Sequence, residues 1–353
     1  MTEYRCRTRA KRYILPVRYR LSVLDQTPIA EGSTAAEAIA NTLDLARACD
    51  RLGYHRYWLA EHHASPGLAG AAPEALIGPV ALATQQIRVG SGGIMLPHYS
   101  PFKVAETFAL LAALAPGRID LGVGRAPGSD GRTAYALQRD RSRRLPADDF
   151  PNHLAECVAY LDGAMPADHP FASLQDTLPT GGGTVEVWLL GSSHESALWA
   201  AEAGLPYCVA DFINADGARL ADLYRRHFKP GRIEAPQVAV ATWAIAADSR
   251  EEAEDLALPS RMMFAHLLQG RLIPVPSVDT ARGWLAANPQ PERRRRVTLG
   301  TGAEVRAGLD AIADVYGADE VFIVNILPDH AARVRSYELT APVAGMPSSS
   351  PRA

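Results

Sequence analysis

Two histidines and a glutamate stand side by side where a short apolar segment ends. Residues 54–63 read YHRYWLAEHH, so Glu61, His62 and His63 directly follow the run YWLA. Polar groups at the end of a buried strand need partners, and histidine is the side chain whose ordinary pKa lies nearest neutral pH. We interpret His62 as an acid–base or hydrogen-bonding group, with Glu61 as its neighbour or as a ligand contact. His63 is expected only to cap backbone groups in a surface loop.

The same residues could instead bind a metal ion. A zinc site would need a further ligand from another strand end, and His98 and Asp211 are the candidates. The H-x-H spacing and the paired carboxylates of barrel metallohydrolases are missing from this sequence. A metal-dependent barrel hydrolase is therefore the weaker alternative.

A second group of candidate residues lies at the start of a helix. Gly191, Ser192 and Ser193 lead from the apolar run VWLL into a helical pattern that begins near Glu195. Backbone N–H groups, hydroxyls and the positive end of the helix dipole would all face one point there, as in phosphate-binding sites. A plain serine N-cap explains the same residues equally well. Arg125 would add a charged contact to a phosphate, or would form a surface ion pair.

Two common nucleotide-binding motifs are excluded. The stretch GVGRAPG at residues 122–128 spaces its glycines G-x-G-x-x-x-G, and Pro127 stands where a dinucleotide-binding helix would begin. A G-x-x-x-x-G-K-[ST] motif is also missing from the sequence. Neither dinucleotide-binding nor P-loop chemistry is predicted.

Strand and helix patterns alternate from near residue 21 to the end of the chain. The strand candidates are Leu21–Asp25, Arg56–Glu61, Ile87–Leu96, Arg118–Gly124, Val185–Leu190, Pro206–Asp211, Gln237–Ala247 and Asp319–Ile326. Apolar residues recur with helical spacing over Thr34–Leu52, Pro73–Thr84, Pro101–Leu114, Pro151–Leu161, Glu195–Ala203, Ala215–Phe228, Arg250–Leu268 and Ala303–Tyr316. Eight such repeats predict an α/β fold, a (β/α)8 TIM barrel of parallel strands, rather than a six-stranded dinucleotide-binding sheet.

The active site of such a barrel lies at the carboxyl ends of its strands. Residues that follow the predicted strands should therefore converge on one mouth and form a pocket of mixed polarity. These candidate pocket residues are Asp25, Gln26, Thr27, Met95, His98, Phe212 and Trp243. Their mixture of types does not specify a substrate.

Two connections are longer than is usual in a compact domain. They are insertions over Ala126–Asp149, after the fourth strand, and over Gln269–Gly302, before the last predicted helix. Long stretches without secondary structure are often lids or binding loops, and we expect residues 269–302 to form a mobile lid. The run RRRR at residues 293–296 is interpreted as a solvated surface.

Composition limits the compartment and the partners. A net charge of −3 and a pI near 6.4 give no electrostatic reason to expect nucleic acid or an anionic membrane as partner. The four cysteines lie far apart, which favours a reducing, cytoplasmic location without disulfides. We expect a disordered basic leader over residues 1–20, a single barrel domain over 21–340 and a disordered tail over 341–353.

Five stretches together resemble one enzyme superfamily. They are YWLAEHH, GSGGIMLPHYSPFKVAE, GRIDLGVGRAPGSD, LLGSSHESALWAAEAGLPY and VRAGLDAIADVYGADEVFIV. In this order they are similar to the bacterial luciferase-like monooxygenases, the flavin-dependent alkanal monooxygenase superfamily, from about Leu21 to Leu339. The resemblance implies a TIM barrel that binds reduced FMN as a diffusing co-substrate and reacts it with dioxygen.

The resemblance also implies roles for individual residues. His62 would act in catalysis with Glu61 beside it, and the flavin ring would lie against a non-prolyl cis peptide at Gly92-Gly93. Gly124 replaces the reactive cysteine of luciferases, so thiol chemistry near the flavin is not expected. The implied contacts to the flavin phosphate are Arg125, Arg143, Gly191, Ser192, Ser193 and Ser196, and the acidic member of the luciferase phosphate turn is absent among them.

The function implied is that of a two-component FMN-dependent monooxygenase. A separate NAD(P)H:flavin reductase would supply the reduced FMN, and O2 would form a C4a-peroxyflavin that oxygenates an aldehyde, a ketone or a natural-product intermediate. A homodimer formed through the helices near residues 73–115 is implied as well. The alternatives are an F420-dependent oxidoreductase of the same superfamily and a non-catalytic flavin-binding subunit.

Overall fold

Parallel strands surrounded by helices form the structure, a computed structural model that describes residues 19–125, 131–138, 149–214, 216–290 and 297–342. The strands found there are β1 (Arg20–Asp25), β2 (Arg56–Leu59), β3 (Arg88–Met95), β4 (Ile119–Gly124), β5 (Glu186–Gly191), β6 (Tyr207–Ala210), β7 (Val238–Ala247), β8 (Val297–Thr301) and β9 (Glu320–Val324). Parallel pairing runs from β1 to β7 in order, then to β9, and from β9 back to β1. These eight strands close a barrel, and the predicted TIM barrel is confirmed.

All eight predicted helices occur, with small shifts of their ends. The helices of the described residues are α1 (Ala35–Leu52), α2 (Pro73–Ala83), α3 (Pro101–Leu114), α4 (Gly131–Leu137), α5 (Phe150–Asp162), α6 (His194–Glu202), α7 (Ala218–His227), α8 (Arg250–Leu256), α9 (Leu258–Leu267), α10 (Val278–Ala287), α11 (Gly302–Tyr316) and α12 (His330–Thr340). The predicted helix Arg250–Leu268 is divided into α8 and α9. Proline is accepted in the first turn of a helix but not in its interior, and Pro259 lies in the first turn of α9.

The prediction of a structureless connection over Gln269–Gly302 is wrong. This segment contains α10 and the additional strand β8, which pairs with the second half of the ten-residue strand β7. Strand β7 is long enough to pair with β9 through its first half and with β8 through its second half. A short strand beside charged residues has little periodicity, so the sequence pattern did not reveal it.

Several predicted features lie outside the described residues. They are Arg143, Cys6, the Arg293–Arg296 run, most of the leader over 1–20 and most of the tail over 341–353. Within the described residues, Cys49, Cys157 and Cys208 are buried free thiols, as expected. No helix in the described part combines the length and the apolar character needed to cross a bilayer.

A buried network of charges fills the amino-terminal end of the barrel. Arg56 is 1% exposed, and its guanidinium lies 2.7 Å from Asp120, 2.9 Å from Glu186 and 3.2 Å from Glu320. Arg88 adds a second cation at 2.9 Å from Asp120. Such a network compensates carboxylates that would otherwise be buried without partners. The lower end of the barrel is therefore closed by ion pairs.

Apolar and aromatic side chains occupy the barrel interior above this network. Strand residues alternate between the two faces of the sheet, so residues two apart point the same way. Trp58, Trp188 and Phe322 follow the charged residues of β2, β5 and β9 by two positions and therefore also point into the barrel. Trp58 stacks on Phe322 with ring centroids 4.1 Å apart and meets Trp188 edge-on at 5.5 Å. This interior cluster extends to the carboxyl ends of the strands through Leu24, Ala60, Ala241, Trp243, Val324 and Ile326. The mouth is consequently lined by apolar groups.

Candidate active site

Glu61 anchors the end of β2 to the residues that end and follow β3. Its carboxylate is 1% exposed and accepts hydrogen bonds from the Met95 backbone N–H at 2.9 Å and from the Tyr99 hydroxyl at 2.9 Å. His63 Nε2 lies 2.6 Å from the same carboxylate. The contacts that Glu61 makes are thus with the protein, and the expected contact with a cofactor stays a prediction.

His62 lies at the mouth as an uncharged imidazole. Its Nδ1 is within hydrogen-bonding distance of the Glu61 carbonyl oxygen. Because a carbonyl oxygen only accepts, this contact favours the tautomer with the proton on Nδ1 and the lone pair on Nε2. Burial, and to a lesser extent the charge of His63, lowers the pKa of His62 from 6.5 to about 4. At neutral pH the residue therefore presents a hydrogen-bond and proton acceptor.

His63 has a different role from the one expected. Instead of capping backbone groups in a surface loop, its ring binds the Glu61 carboxylate and lies edge-on to the ring of His98, with centroids 6.0 Å apart. His98 belongs to a short 3-10 turn, Leu96–His98, directly after β3. The expectation for His63 was wrong because the sequence could not show that Glu61 turns towards it.

Two glycines shape the end of β3. The Gly92-Gly93 peptide is cis, as the resemblance implied. Gly92 pairs with Gly122 and Ile94 with Val123, so Gly93 forms a bulge between them. A Cβ on Gly92 would lie 2.5 Å from Leu24 Cδ1, and one on Gly93 would lie 2.7 Å from a backbone oxygen of β4. Only backbone atoms can therefore be presented at this part of the mouth.

The start of α6 is a capped helix end. Ser193 Oγ accepts from the Ser196 N–H, and Ser196 Oγ accepts from the Ser193 N–H, each at 3.3 Å. Ser196 Oγ also lies 3.0 Å from the Tyr207 hydroxyl. A Cβ on Gly191 would lie 2.2 Å from Ser196 Oγ, so only glycine fits beside this cap. The N-cap interpretation is confirmed. Binding of an anion at this helix end stays a prediction.

An acidic side chain already occupies this helix end. Hydrogen bonds from its own backbone N–H and from the Ser193 hydroxyl, with the nearby charge of Arg125, hold the pKa of Glu195 below its usual range. The Arg125 guanidinium lies over the ring of Trp199, 5.3 Å from its centroid. The acidic member of the luciferase turn is absent at Ser192, Ser193 and Ser196, as predicted, but Glu195 brings a carboxylate close to the same helix end. The positive end of the helix dipole favours a carboxylate at the start of α6, as it would favour a phosphate.

Asp25 does not line the pocket, contrary to prediction. It is fully buried on the outward side of β1, where its carboxylate lies 2.6 Å from Arg333 and accepts from the Thr42 hydroxyl at 2.7 Å and from the Tyr57 hydroxyl. Burial alone would raise the pKa of Asp25, but Arg333 and the hydroxyls outweigh it and lower the pKa. The prediction failed because Arg333 is 308 residues away in sequence.

The remaining predicted pocket residues lie at or near the mouth. Gln26 is buried and continues the inward-facing positions of β1, while Thr27 is fully buried with a φ of 49°. Phe212 and Trp243 meet edge-on with ring centroids 6.2 Å apart and pack on the interior cluster. Met95 is 9% exposed at the end of β3. The aromatic pair therefore forms one wall of the mouth.

The metal alternative is not supported by a ligand cluster. Asp211, one of its candidate ligands, binds the hydroxyls of Thr242 at 3.0 Å and Tyr316 at 2.7 Å. In the part of the chain that the structure describes, no three His, Cys, Asp or Glu side chains come together in a way that could hold an ion.

Comparison with known sequences identifies the family. The family described as luciferase-like monooxygenase matches residues 19–319. The chain belongs to the luciferase-like monooxygenases. The predicted resemblance is confirmed.

Curated relatives match almost the whole length of this chain. A protein of Escherichia coli (strain K12) named luciferase-like monooxygenase is 43% identical over 91% of this chain and 96% of its own length. The N-acetyl-S-alkylcysteine monooxygenase of Bacillus subtilis (strain 168) is 37% identical over 91% of this chain and 96% of its own length. These names support an oxidoreductase of the monooxygenase type.

Solved structures share the luciferase-like barrel. Apo-MsnO8 is 39% identical, with a TM-score of 0.82 over 92% of this chain and 97% of its own. The FMN-bound oxygenating constituent of 3,6-diketocamphane monooxygenase from Pseudomonas putida has a TM-score of 0.67 over 93% and 98% of the two chains. An F420-dependent secondary alcohol dehydrogenase has a TM-score of 0.64 over 91% and 98%. At 18% and 13% identity, the last two show the fold alone.

A segment that we call the strap, Ile273–Ser277, crosses the mouth of the barrel beside β1. The Val275 N–H donates to Ile29 O at 2.9 Å, and Val275 packs with the interior cluster. A Cβ on Gly67 would lie 2.3 Å from the Ile273 carbonyl oxygen, so the strap reaches this position only because residue 67 is glycine. Sequence reasoning placed a lid over 269–302 but missed this contact, because Gly67 and Ile273 follow different strands.

Proposed function

We propose that this luciferase-like protein is an FMN-dependent monooxygenase that uses O2 to oxygenate a small organic substrate. The observation that supports it best is the order of groups along one edge of the barrel. His62 follows β2, the glycine bulge ends β3, Arg125 follows β4, and the anion-attracting start of α6 follows β5. Neighbouring strands lie about 4.8 Å apart, so a flavin ring with its ribityl phosphate can span this row.

The residues present fit reduced FMN. The phosphate would bind the first backbone N–H groups of α6 and Arg125, displacing the Glu195 carboxylate that lies there in the free protein. The ring would lie against the backbone of Gly92-Gly93, where neither residue carries a side chain of its own. Reduced FMN supplies the two electrons with which one oxygen atom of O2 enters the product and the other leaves as water.

His62 provides the proton-accepting group of the proposed site. Its Nε2 carries the lone pair at neutral pH, because the pKa of about 4 keeps the ring uncharged. It can orient a substrate donor or take a proton at Nε2, then return that proton as the oxygen atom is transferred. Catalytic groups with a hydrogen bond that fixes one tautomer are held ready for this exchange.

Exclusion of water is proposed as the role of the apolar mouth and the strap. Val275 packs with the interior cluster and is fully buried, and Phe212 and Trp243 pack on the same cluster. A dry site suppresses side reactions with water. This explains why a monooxygenase mouth would be apolar and covered at one side.

A separate NAD(P)H:flavin reductase and a second copy of this chain are the proposed partners. Leu82 of α2 and Leu110 and Leu114 of α3 are 67%, 60% and 47% exposed, and α2 carries a single charged residue. Helices that are apolar on all sides are normally covered. The exposed leucines therefore support a dimer contact through α2 and α3. Leu110→Glu should give monomers in sedimentation experiments, while Val315→Glu, at an equally exposed position of α11, should leave the dimer intact.

Binding and isotope labelling test the function together. Reduced FMN and reduced F420 would be titrated without oxygen, which separates the monooxygenase from an F420-dependent oxidoreductase. Reduced FMN, 18O2 and a panel of an aldehyde, a ketone and an N-acetyl-S-alkylcysteine would then be supplied, with incorporation of one 18O atom expected in one product. Tighter binding of F420, or consumption of O2 that gives only hydrogen peroxide with every substrate class, would contradict the proposal.

A further inference from the structure

The carboxylate of Glu61 uses both of its oxygen atoms to connect two neighbouring strand ends. Oε2 accepts from the Met95 N–H at 2.9 Å, and Oε1 accepts from the Tyr99 hydroxyl at 2.9 Å and from His63 Nε2 at 2.6 Å. Met95 and Tyr99 are 34 and 38 residues further along the chain. The contacts therefore do not belong to a local turn. They hold the end of β2 and the end of β3 at a fixed distance from each other.

The two ends that Glu61 connects carry the two central elements of the proposed site. His62 follows Glu61 directly, and its Nδ1 donates to the Glu61 carbonyl oxygen. Met95 follows the Gly92-Gly93 bulge by two residues, at the last position of β3. Any rotation of residue 61 would therefore shift the imidazole relative to the glycine bulge.

We propose that Glu61 is a positioning residue, whose buried carboxylate fixes the His62 imidazole, its tautomer and its distance from the Gly92-Gly93 backbone. The proposal rests on the flavin site described above. A misplacement of about 1 Å can lower a catalytic rate about a hundredfold. A carboxylate held by three donors resists such movement far better than a single neutral hydrogen bond does.

The geometry also explains why glutamate suits this position. Aspartate is one methylene shorter and cannot reach both the Met95 N–H and the Tyr99 hydroxyl from the same backbone position. Glutamine keeps one oxygen, which still accepts the Met95 N–H, while its amide group can face Tyr99 or His63 in a changed tautomer. Alanine leaves the buried donors of Met95, Tyr99 and His63 without an acceptor.

The first measurement follows the tautomer of His62 without any ligand. In 15N NMR spectra of histidine-labelled protein, with the His62 signals assigned by loss in His62→Gln, the wild type should show the Nδ1–H tautomer. We expect Glu61→Ala and Glu61→Asp to give a mixture of tautomers and Glu61→Gln to retain the wild-type form. A wild-type tautomer in both Glu61→Ala and Glu61→Asp would overturn the proposal.

The second measurement follows the flavin and the reaction. Glu61→Ala should weaken binding of reduced FMN about tenfold and lower kcat about a hundredfold, with KM for the substrate changed less than threefold. Tyr99→Phe removes one of the three donors and should have a smaller effect in the same direction. Equal kcat in Glu61→Ala and wild type would also overturn the proposal. If Glu61→Ala does not fold, Glu61→Asp replaces it in each comparison.

A matched control separates positioning from general stability. Asp50, in α1, accepts backbone N–H groups of Gln85, Gln86 and Ile87 at 2.7, 3.0 and 2.8 Å, and it connects α1 to the residues that precede β3, at the opposite end of the barrel. Asp50→Ala should lower stability but leave the His62 tautomer and FMN affinity unchanged, and an equal effect at both sites would contradict the proposal. Failure of the wild type to bind FMN would refute the proposed function, while the tautomer comparison would still test Glu61.

Discussion

Replacement of Arg56 by methionine tests the charge network at the closed end of the barrel. The guanidinium of Arg56 contacts Asp120, Glu186 and Glu320, and both Asp120 and Glu320 are fully buried. Methionine fills a similar volume without charge. The substitution would leave Glu320 with only the hydroxyl of Ser22 among the contacts described. The main effect is therefore electrostatic rather than a cavity.

The expected loss follows from burial and from the partners that remain. Removal of one partner from a buried ion pair typically costs about 3–5 kcal/mol. Asp120 keeps Arg88 and the Trp58 indole N–H, so we expect Arg56→Met to cost about 3 kcal/mol. The control is Arg250→Met, because Arg250 binds Glu304 at 2.8 Å with both side chains roughly half exposed. An exposed pair of this kind is worth about 0–1 kcal/mol.

Urea unfolding at several pH values supplies the measurement. Burial alone would raise the pKa of Asp120, but Arg56 and Arg88 outweigh it and lower the pKa in the folded protein. Without Arg56 the buried carboxylates are expected to take up protons more readily when folded. The difference from wild type should then be largest at neutral pH and should shrink as the pH falls. A loss no larger than that of Arg250→Met, or one independent of pH, would refute the electrostatic explanation.

Three further changes test the mouth. Gly67→Ala should push the strap away from the mouth and raise its hydrogen exchange about tenfold or more by mass spectrometry, whereas Gly283→Ala, with open space around it, should not. Gly191→Ala should weaken FMN binding about tenfold in calorimetry without affecting riboflavin, because its Cβ disturbs the α6 cap, while Gly283→Ala should change neither. Between pH about 4 and 6.5 the unfolded state binds a proton that the folded His62 does not, so the free energy of unfolding of the wild type should rise with pH. His62→Gln should make this rise smaller, and an unchanged slope would contradict the low pKa.

The barrel and the position of His62 could be predicted because both depend on local patterns. Alternating strands and helices recur along the chain, and their glycine and serine boundaries are short-range signals. The strand-end rule of barrels then placed Glu61, His62 and the glycines of β3 at one mouth. The role of a side chain at the mouth depends on partners that are distant in sequence, and a local sequence pattern does not reveal those partners.

Asp25 and Arg56 show this limit from opposite directions. Asp25 ends a strand as a site residue would, yet it turns outward to Arg333, which only the folded chain brings close. Arg56 begins a strand, and no role was predicted for it. A charged residue also stands at the first inward position of β5 and of β9. Charges repeated at the starts of strands are the sequence signal that could have revealed the network.

The division of charge within the barrel bears directly on the proposed chemistry. Two acidic groups near the mouth are bound by protein donors: Glu61 by Met95 and Tyr99, and Asp211 by Thr242 and Tyr316. His62 differs, because the one hydrogen bond described for its side chain uses Nδ1 and leaves the lone pair on Nε2. A neutral base in an apolar mouth can exchange a proton without placing a permanent charge beside the oxygen-transfer step. The charged network of Arg56 lies at the closed end of the barrel, away from His62.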